Sequence, residues 1–156
     1  MIVTLSKSRN WLLMLVALLL VTVSLVGNPT KASAVTCYGD YCSGVDPQSS
    51  GCGADAYTAT VYNTSIASLQ TRYSPTCQTN WARVVVYATG VGCVYPGSLR
   101  AIQDTGYTQS TSTSLVCNTY SSTTFWTPMI YSPVHKVRSS YQSDGTFTDT
   151  IYTPWA

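Results

Sequence analysis

Few residues in this 156-residue chain could carry acid–base or nucleophilic chemistry. It has one histidine, His135, and six aspartates without a glutamate. Asp46 and Asp55 are candidates for a carboxylate pair, but hydrolysis by two carboxylates needs a fixed separation across a cleft. Because Asp46 precedes Pro47, we expect its carboxylate to bind the backbone of its own turn. A Ser-His-Asp triad would depend on His135, and the chain has no G-x-S-x-G motif. The sequence therefore predicts no catalytic residues.

Two arginines are candidates for binding an anionic ligand. Arg72 and Arg83 lie within eleven residues of each other and on either side of Cys77, where a disulfide would hold the chain tightly. A structural pairing of these arginines with Asp46 or Asp55 would explain their presence equally well, and we favour this structural role. Arg83 should then meet a carboxylate or turn carbonyls near the cysteines. On that interpretation Arg83→Ala lowers stability and leaves binding intact, whereas a ligand role predicts the reverse.

The six cysteines all follow residue 34 and predict a disulfide framework, typical of small exported domains. The chain has no C-x-x-C pair and one histidine, so we expect neither a metal site nor a cofactor. Six cysteines allow fifteen pairings. The spacing favours three bridges: Cys37–Cys42, Cys52–Cys77 and Cys93–Cys117.

Tyrosine is the most unusual component, with twelve residues. Aromatic rings among hydroxyl groups suit sugar or peptide surfaces, because tyrosine offers contact area at low entropic cost. The candidate binding residues are Tyr38, Tyr41, Tyr107, Tyr120 and Tyr131. The alternative is that tyrosine replaces leucine in a small β-core.

Residues 1–34 have the features of a secretory signal peptide. Lys7 and Arg9 precede an apolar run from Trp11 to Val26, and Ala32-Ser33-Ala34 fits a cleavage site. The alternative is an uncleaved membrane anchor, although the run is short for a span. Residues 35–156 are expected to form one extracellular domain without a further membrane span. They hold five basic and six acidic residues, a net charge of −1, which gives no support to nucleic-acid binding.

The sequence after residue 34 predicts an all-β fold, a small antiparallel sandwich or barrel stapled by disulfides. Thr, Tyr, Val and Trp dominate, and turn residues recur at short intervals. A short helix at 54–59 is an alternative at the start. The predicted strands are 56–62, 66–73, 81–88, 99–103, 114–120 and 125–131, with 109–113 as a polar loop or solvated edge and Pro128 at an edge or bulge.

The C-terminal segment predicts a hairpin around Ser143-Asp144-Gly145. A three-residue loop there would place Tyr141 opposite Phe147 and Val137 opposite Ile151. All four apolar side chains would then share one face.

The segment from Cys37 to Val84 contains four cysteines and two short motifs in a distinctive order. It reads C…C-x-G-x-D-P…C followed by R-Y-S…C…W-A-R. This resembles a bacterial family known as domain of unknown function 2690, or YjfA-like. The matching positions are Cys37, Cys42, Gly44, Asp46, Pro47, Cys52, Arg72, Tyr73, Ser74, Cys77, Trp81, Ala82 and Arg83. The resemblance implies export and an extracytoplasmic module, and it implies no activity.

Two of these positions carry structural expectations. Thr71 stands where the family usually has an apolar residue, so we expect its strand to bury less. Trp81 is expected to stack on Arg72 or to pack against a disulfide. The motif residues Asp46, Pro47, Arg72, Tyr73, Trp81 and Arg83 are therefore assigned a structural role.

Together these features favour a secreted domain that acts by binding rather than catalysis. The expected partner is a cell-envelope polysaccharide or another secreted protein. The alternatives are a secreted hydrolase of unrecognised type and a small inhibitor or effector.

Overall fold

The computed structural model describes residues 34–88, 93–117, 120–144 and 150–156, which contain β-strands and one short 3₁₀ turn, Gly39–Cys42. The strands are β1 (Tyr57–Asn63), β2 (Ala67–Ser74), β3 (Thr79–Val86), β4 (Cys93–Val94), β5 (Gly97–Gln103), β6 (Thr108–Thr113), β7 (Val116–Cys117), β8 (Thr123–Trp126), β9 (Ile130–Tyr131), β10 (Val137–Ser143) and β11 (Thr150–Tyr152). Their pairings are antiparallel, which confirms the all-β prediction. Except for Ala34, the predicted signal peptide lies outside the described residues. Across those residues, we find no helix with the length and apolar character to cross a membrane.

Two sheets form the body of the domain. The first has the order β1-β2-β3-β8, with β9 also paired to β3, and the second has the order β11-β10-β5-β6. Strands β2 and β3 pack against β5 and β10, so the sheets face each other as in a sandwich. The core between them includes Leu69, Val84, Leu99, Val137 and Tyr141. The short strands β4 and β7 form a separate pair.

The predicted strands in the first half agree with the observed ones to within two residues. The alternative helix at 54–59 does not form, because β1 begins at Tyr57. The polar segment 109–113 lies in β6, at the edge of the second sheet. The predicted strand 125–131 is interrupted at Pro128, which cannot donate a backbone hydrogen bond, and becomes β8 and β9. Of the predicted strand 114–120, only β7 is a strand among the described residues.

Thr71 contradicts the expectation that its strand buries less. Its side chain is fully buried between the sheets. Its Oγ1 lies 2.9 Å from Ser139 Oγ and 2.8 Å from Thr153 Oγ1, and Ser139 Oγ donates to the carbonyl of Gln70. A buried hydroxyl costs little when its hydrogen bonds are made. The expectation was wrong because the polar partners come from β10 and the chain after β11.

The predicted register of the C-terminal hairpin is also wrong. Tyr141 lies opposite Ile151 and not opposite Phe147, which is outside the described residues. The observed pairing is therefore shifted by four residues from the predicted one. The shift moves the pairing by an even number of residues, so Tyr141 and Ile151 still point to the core with Val137.

The second sheet explains why the predicted turn does not begin at Ser143. Ser143 pairs with Gly97 of β5, and the Asp144 amide donates a 2.8 Å hydrogen bond to the Pro96 carbonyl. Ser143, the first residue of the predicted turn, is thus held in the extended strand β10. A Cβ on Gly97 would stand 2.2 Å from the Gln142 carbonyl oxygen, so this close pairing requires glycine.

Candidate binding surface

One disulfide closes a loop in the N-terminal segment, and a second ties that segment to the turn between β2 and β3. The structure joins Cys37 to Cys42 and Cys52 to Cys77, and it also joins Cys93 to Cys117. These are the pairs that the spacing favours. The four sulfurs of the first two bridges lie within 4.8 Å of one another, as in a four-cysteine metal site. All four are bonded as disulfides, so none is a thiolate ligand.

Trp81 forms the floor beneath these bridges. It lies on β3 and is 1% exposed, packed with Cys42, Cys52, Cys77 and Met129. Of the two expected roles for Trp81, packing against a disulfide is the one observed. This second core fixes the turn Gly39–Cys42 to the sheet.

Asp46 binds the backbone of its own turn, as expected, and it also links that turn to the first sheet. Its Oδ1 accepts hydrogen bonds from the amides of Gln48 and Ser49 at 2.8 and 2.9 Å. Its Oδ2 accepts a 2.7 Å bond from Trp126 Nε1 on β8. Burial by itself would raise the pKa of Asp46, but these hydrogen bonds outweigh it and lower the pKa. The next residue, Pro47, is buried in the same turn.

Asp55 fixes a different turn, the one that follows β2. Its carboxylate accepts hydrogen bonds from Ser74 Oγ at 2.6 Å and from the Thr76 amide at 2.9 Å. Burial by itself would raise the pKa of Asp55, but these hydrogen bonds have the larger effect, so the pKa is lowered. Both candidate carboxylates therefore anchor backbone, and each has its own partners.

Arg83 does not meet a carboxylate or turn carbonyls, contrary to the prediction. It lies opposite Gln70 in the β2–β3 ladder, and its Nε and Nη2 donate to Gln70 Oε1 at 2.9 and 2.6 Å. The prediction failed because the partner comes from strand pairing, whereas proximity to Cys77 in sequence suggested the cysteine cluster. Burial lowers the pKa of Arg83.

Arg72 lies on the neighbouring strand and also binds neutral groups. Its Nη1 donates to Thr58 Oγ1 at 2.7 Å, its Nη2 donates to the carbonyl of Ala56, and its Nε is buried without a partner. The predicted pairing of either arginine with Asp46 or Asp55 is absent from the described part of the chain.

His135 forms a pair with Asp104 near a polar groove. Its Nδ1 lies 3.0 Å from Asp104 Oδ1, and both side chains are exposed. The nearest hydroxyl in sequence, Ser132 Oγ, donates to the carbonyl of His135 itself. The groove has an empty volume of about 630 Å³ and includes Tyr57, Tyr73 and Asn80; the rings of Tyr57 and Tyr73 meet edge to face at 5.7 Å.

Most tyrosines lie at the surface and not in the core. Eight of the twelve are at least 42% exposed: Tyr38, Tyr41, Tyr57, Tyr62, Tyr95, Tyr107, Tyr120 and Tyr152. Tyr141 is the one tyrosine in the buried core. The alternative that tyrosine takes the place of leucine in the core therefore accounts for Tyr141. It does not account for the exposed rings.

The structure gathers several of the candidate tyrosines around the first disulfide. Tyr38 and Tyr41, 65% and 90% exposed, lie within the loop closed by Cys37–Cys42. The half-buried Tyr131 ring lies 3.9 Å from where a Cβ on Gly39 would stand.

Tyr107 approaches the same turn through a neighbour. Its hydroxyl accepts a 2.6 Å bond from Gln109 Nε2, and that nitrogen is 3.7 Å from the Cβ position of Gly44. We call Tyr38, Tyr41, Tyr107 and Tyr131 the tyrosine surface. Tyr120 is 99% exposed and has no hydrogen bond or ring contact to this surface in the described ranges.

The structure contains one aromatic cluster that was not predicted from the sequence. The Arg138 guanidinium carbon lies 4.4 Å from the ring centre of Tyr152 and 4.5 Å from that of Trp155. Strand alternation places Arg138 and Tyr152 on the outer face of one hairpin, which was a usable signal. Trp155 follows the last strand, so alternation could not place it.

Comparison with known proteins gives one family. A sequence model described as protein of unknown function (DUF2690) matches residues 40–142. No curated protein and no solved structure matches. The match begins after Cys37 and extends well beyond Val84, so it includes the Cys93–Cys117 bridge.

Proposed function

We propose that this chain, which belongs to the family of proteins of unknown function DUF2690, is an exported module that binds a polysaccharide of the cell envelope. The observation that carries the proposal is the exposure of Tyr38 and Tyr41 on a turn closed by a disulfide. Tyr107 and Tyr131 would extend the contact. The binding mode is non-catalytic and needs no cofactor.

The rigidity of the turn supports a binding role for its two rings. The Gly44 amide donates to the Met129 carbonyl, and the Met129 amide donates to the Val45 carbonyl, both at 2.9 Å. The bridge and these hydrogen bonds order the turn before any ligand arrives. A preordered aromatic surface loses less entropy on binding, which leaves more of the contact energy for affinity.

Export is supported by the N-terminal sequence and the bridges. Residues 1–34 carry the charged, apolar and small-residue segments of a signal peptide in the right order. Disulfides persist in oxidising compartments. Cleavage after Ala34 would release a protein beginning at Val35, and the intact mass of the protein from culture medium tests this. Retention of residues 1–34 in a membrane fraction would contradict it.

A pull-down tests the choice of partner. The protein, produced with its disulfides formed, is incubated with insoluble cell wall before and after protease treatment of the wall. We expect co-sedimentation that survives the protease and is competed by soluble wall polysaccharide. Loss of binding after protease would identify a protein partner instead, and release of soluble sugar fragments would identify a hydrolase. Either result would overturn the proposal.

A further inference from the structure

Arg72 and Arg83 form a pair on the outer face of the first sheet. Arg72 lies opposite Trp81 in the β2–β3 ladder, and Arg83 lies two residues beyond Trp81 on the same strand. The two arginines are therefore diagonal neighbours on one face. Both remain partly exposed at the surface.

Neutral acceptors surround this pair. The Arg83 guanidinium directs two N–H groups at the single amide oxygen of Gln70. Thr58 Oγ1 donates to the same oxygen at 3.3 Å and also accepts from Arg72. Arg83 Nη1 makes no hydrogen bond within the described ranges.

The two positive charges are left without a counterion. In the described part of the chain, the one ion pair is His135–Asp104. The carboxylates of Asp46 and Asp55 are occupied by other donors. Burial lowers the pKa of Arg72, and repulsion from Arg83 lowers it further. Two neighbouring like charges repel each other, and a bound anion would relieve that repulsion.

We propose that Arg72 and Arg83 form a binding site for an oxyanion, the phosphate or carboxylate group of a partner molecule. The free Nη1 of Arg83 would donate to the anion, and the charge of Arg72 would add electrostatic attraction. Arginine suits this role because its planar group binds phosphate and carboxylate in a fixed geometry. The site shares no residue with the tyrosine surface, so the proposal does not depend on polysaccharide binding there.

Gln70→Glu is the most informative variant. A carboxylate at this position would place an internal anion against Arg83 and compete with an external one. It should raise the melting temperature and weaken anion binding together. A purely structural role for the arginines predicts the rise in melting temperature with no anion binding to lose.

The experiment is a calorimetric titration of the full chain at low salt. The probes are inorganic phosphate, a glycerol phosphodiester and galacturonate. We expect binding that weakens with added salt and falls about tenfold or more in Gln70→Glu and Arg83→Gln. Arg100→Gln, which removes an exposed arginine from the other sheet, is the matched control and should leave binding unchanged. The phosphodiester and galacturonate arms distinguish the two anion sources.

The site would be refuted if the wild-type protein binds none of the three probes. Equal loss in Arg100→Gln and Arg83→Gln would also refute it, because it would show non-specific charge attraction. The double variant Tyr38→Ala/Tyr41→Ala should keep anion binding. Failure at the tyrosine surface is thereby distinguished from failure at the arginine pair.

Discussion

Trp126 Nε1 donates a 2.7 Å hydrogen bond to Asp46 Oδ2 across 80 positions of sequence. The other oxygen of Asp46 holds the turn that follows the first disulfide. One carboxylate therefore fastens the N-terminal segment to the edge of the first sheet. The same segment carries the exposed rings of Tyr38 and Tyr41.

Trp126→Phe should destabilise the domain by about 1–3 kcal/mol, because it removes the hydrogen bond and leaves a partly buried acceptor unpaired. Chemical denaturation of the wild type and variant measures the difference. Trp155→Phe is the control, since its indole makes no hydrogen bond within the described residues. Equal effects of the two changes would show that the Asp46 bond contributes nothing specific.

Stability should decline in acid. The pKa values of Asp46 and Asp55 are lowered in the folded protein, so folding favours their ionised forms. Their contribution is complete above the unfolded pKa, about 4, and is lost as the pH falls through the lower folded pKa. Melting temperatures between about pH 6 and pH 2 should therefore fall mainly below about pH 4.

Asn substitutions isolate the two carboxylates in this pH series. Asp46→Asn and Asp55→Asn should each flatten the decline and lower stability at neutral pH. Asp40→Asn is the control, because the Asp40 carboxylate accepts one long bond, 3.4 Å, from Ser43 Oγ. An unchanged acid profile in both test variants would contradict the assignment.

The two longer bridges should differ in their contribution to stability. Cys52–Cys77 and Cys93–Cys117 enclose segments of nearly equal length, with separations of 25 and 24, so their loop-entropy terms are almost the same. Cys52 and Cys77 are fully buried with Trp81, whereas Cys93 and Cys117 are half-buried. Replacing both cysteines by alanine should therefore lower the free energy of unfolding more at Cys52–Cys77 than at Cys93–Cys117, by about 1–3 kcal/mol.

Thermal unfolding of the two double variants measures this difference, and non-reducing peptide mapping checks the pairing. A greater loss from the Cys93–Cys117 variant would show that packing around Trp81 does not govern the difference. A peptide linking Cys93 to any of the first four cysteines would contradict the bridge assignment itself.

Local pattern predicted the strands well and the cross-strand partners poorly. The β-forming run around Val84 and the proline at position 128 are local signals, and the structure has β3 at the first and the interruption between β8 and β9 at the second. The partner of Arg83 is set by which residue of β2 lies opposite it. That information is absent from the residues near Arg83 in sequence.

The same distinction applies to Thr71 and to the hairpin. Thr71 is polar locally, but its buried partners Ser139 and Thr153 lie about 70 and 80 residues away. Ser143 and Asp144 favour a turn locally, but pairing with β5 holds Ser143 extended, and the Asp144 amide binds the Pro96 carbonyl. Exposure of the tyrosines is likewise a property of the packed domain, so sequence could name them without showing that they gather at the turn.

Affinity for soluble cell-wall polysaccharide tests the central proposal most directly. The double variant Tyr38→Ala/Tyr41→Ala should bind at least about tenfold more weakly than the wild type, with its melting temperature preserved. Tyr62→Ala, which removes an exposed ring from β1, should bind as the wild type does. Unchanged affinity in the folded double variant, or an equal loss in Tyr62→Ala, would contradict binding by the tyrosine surface.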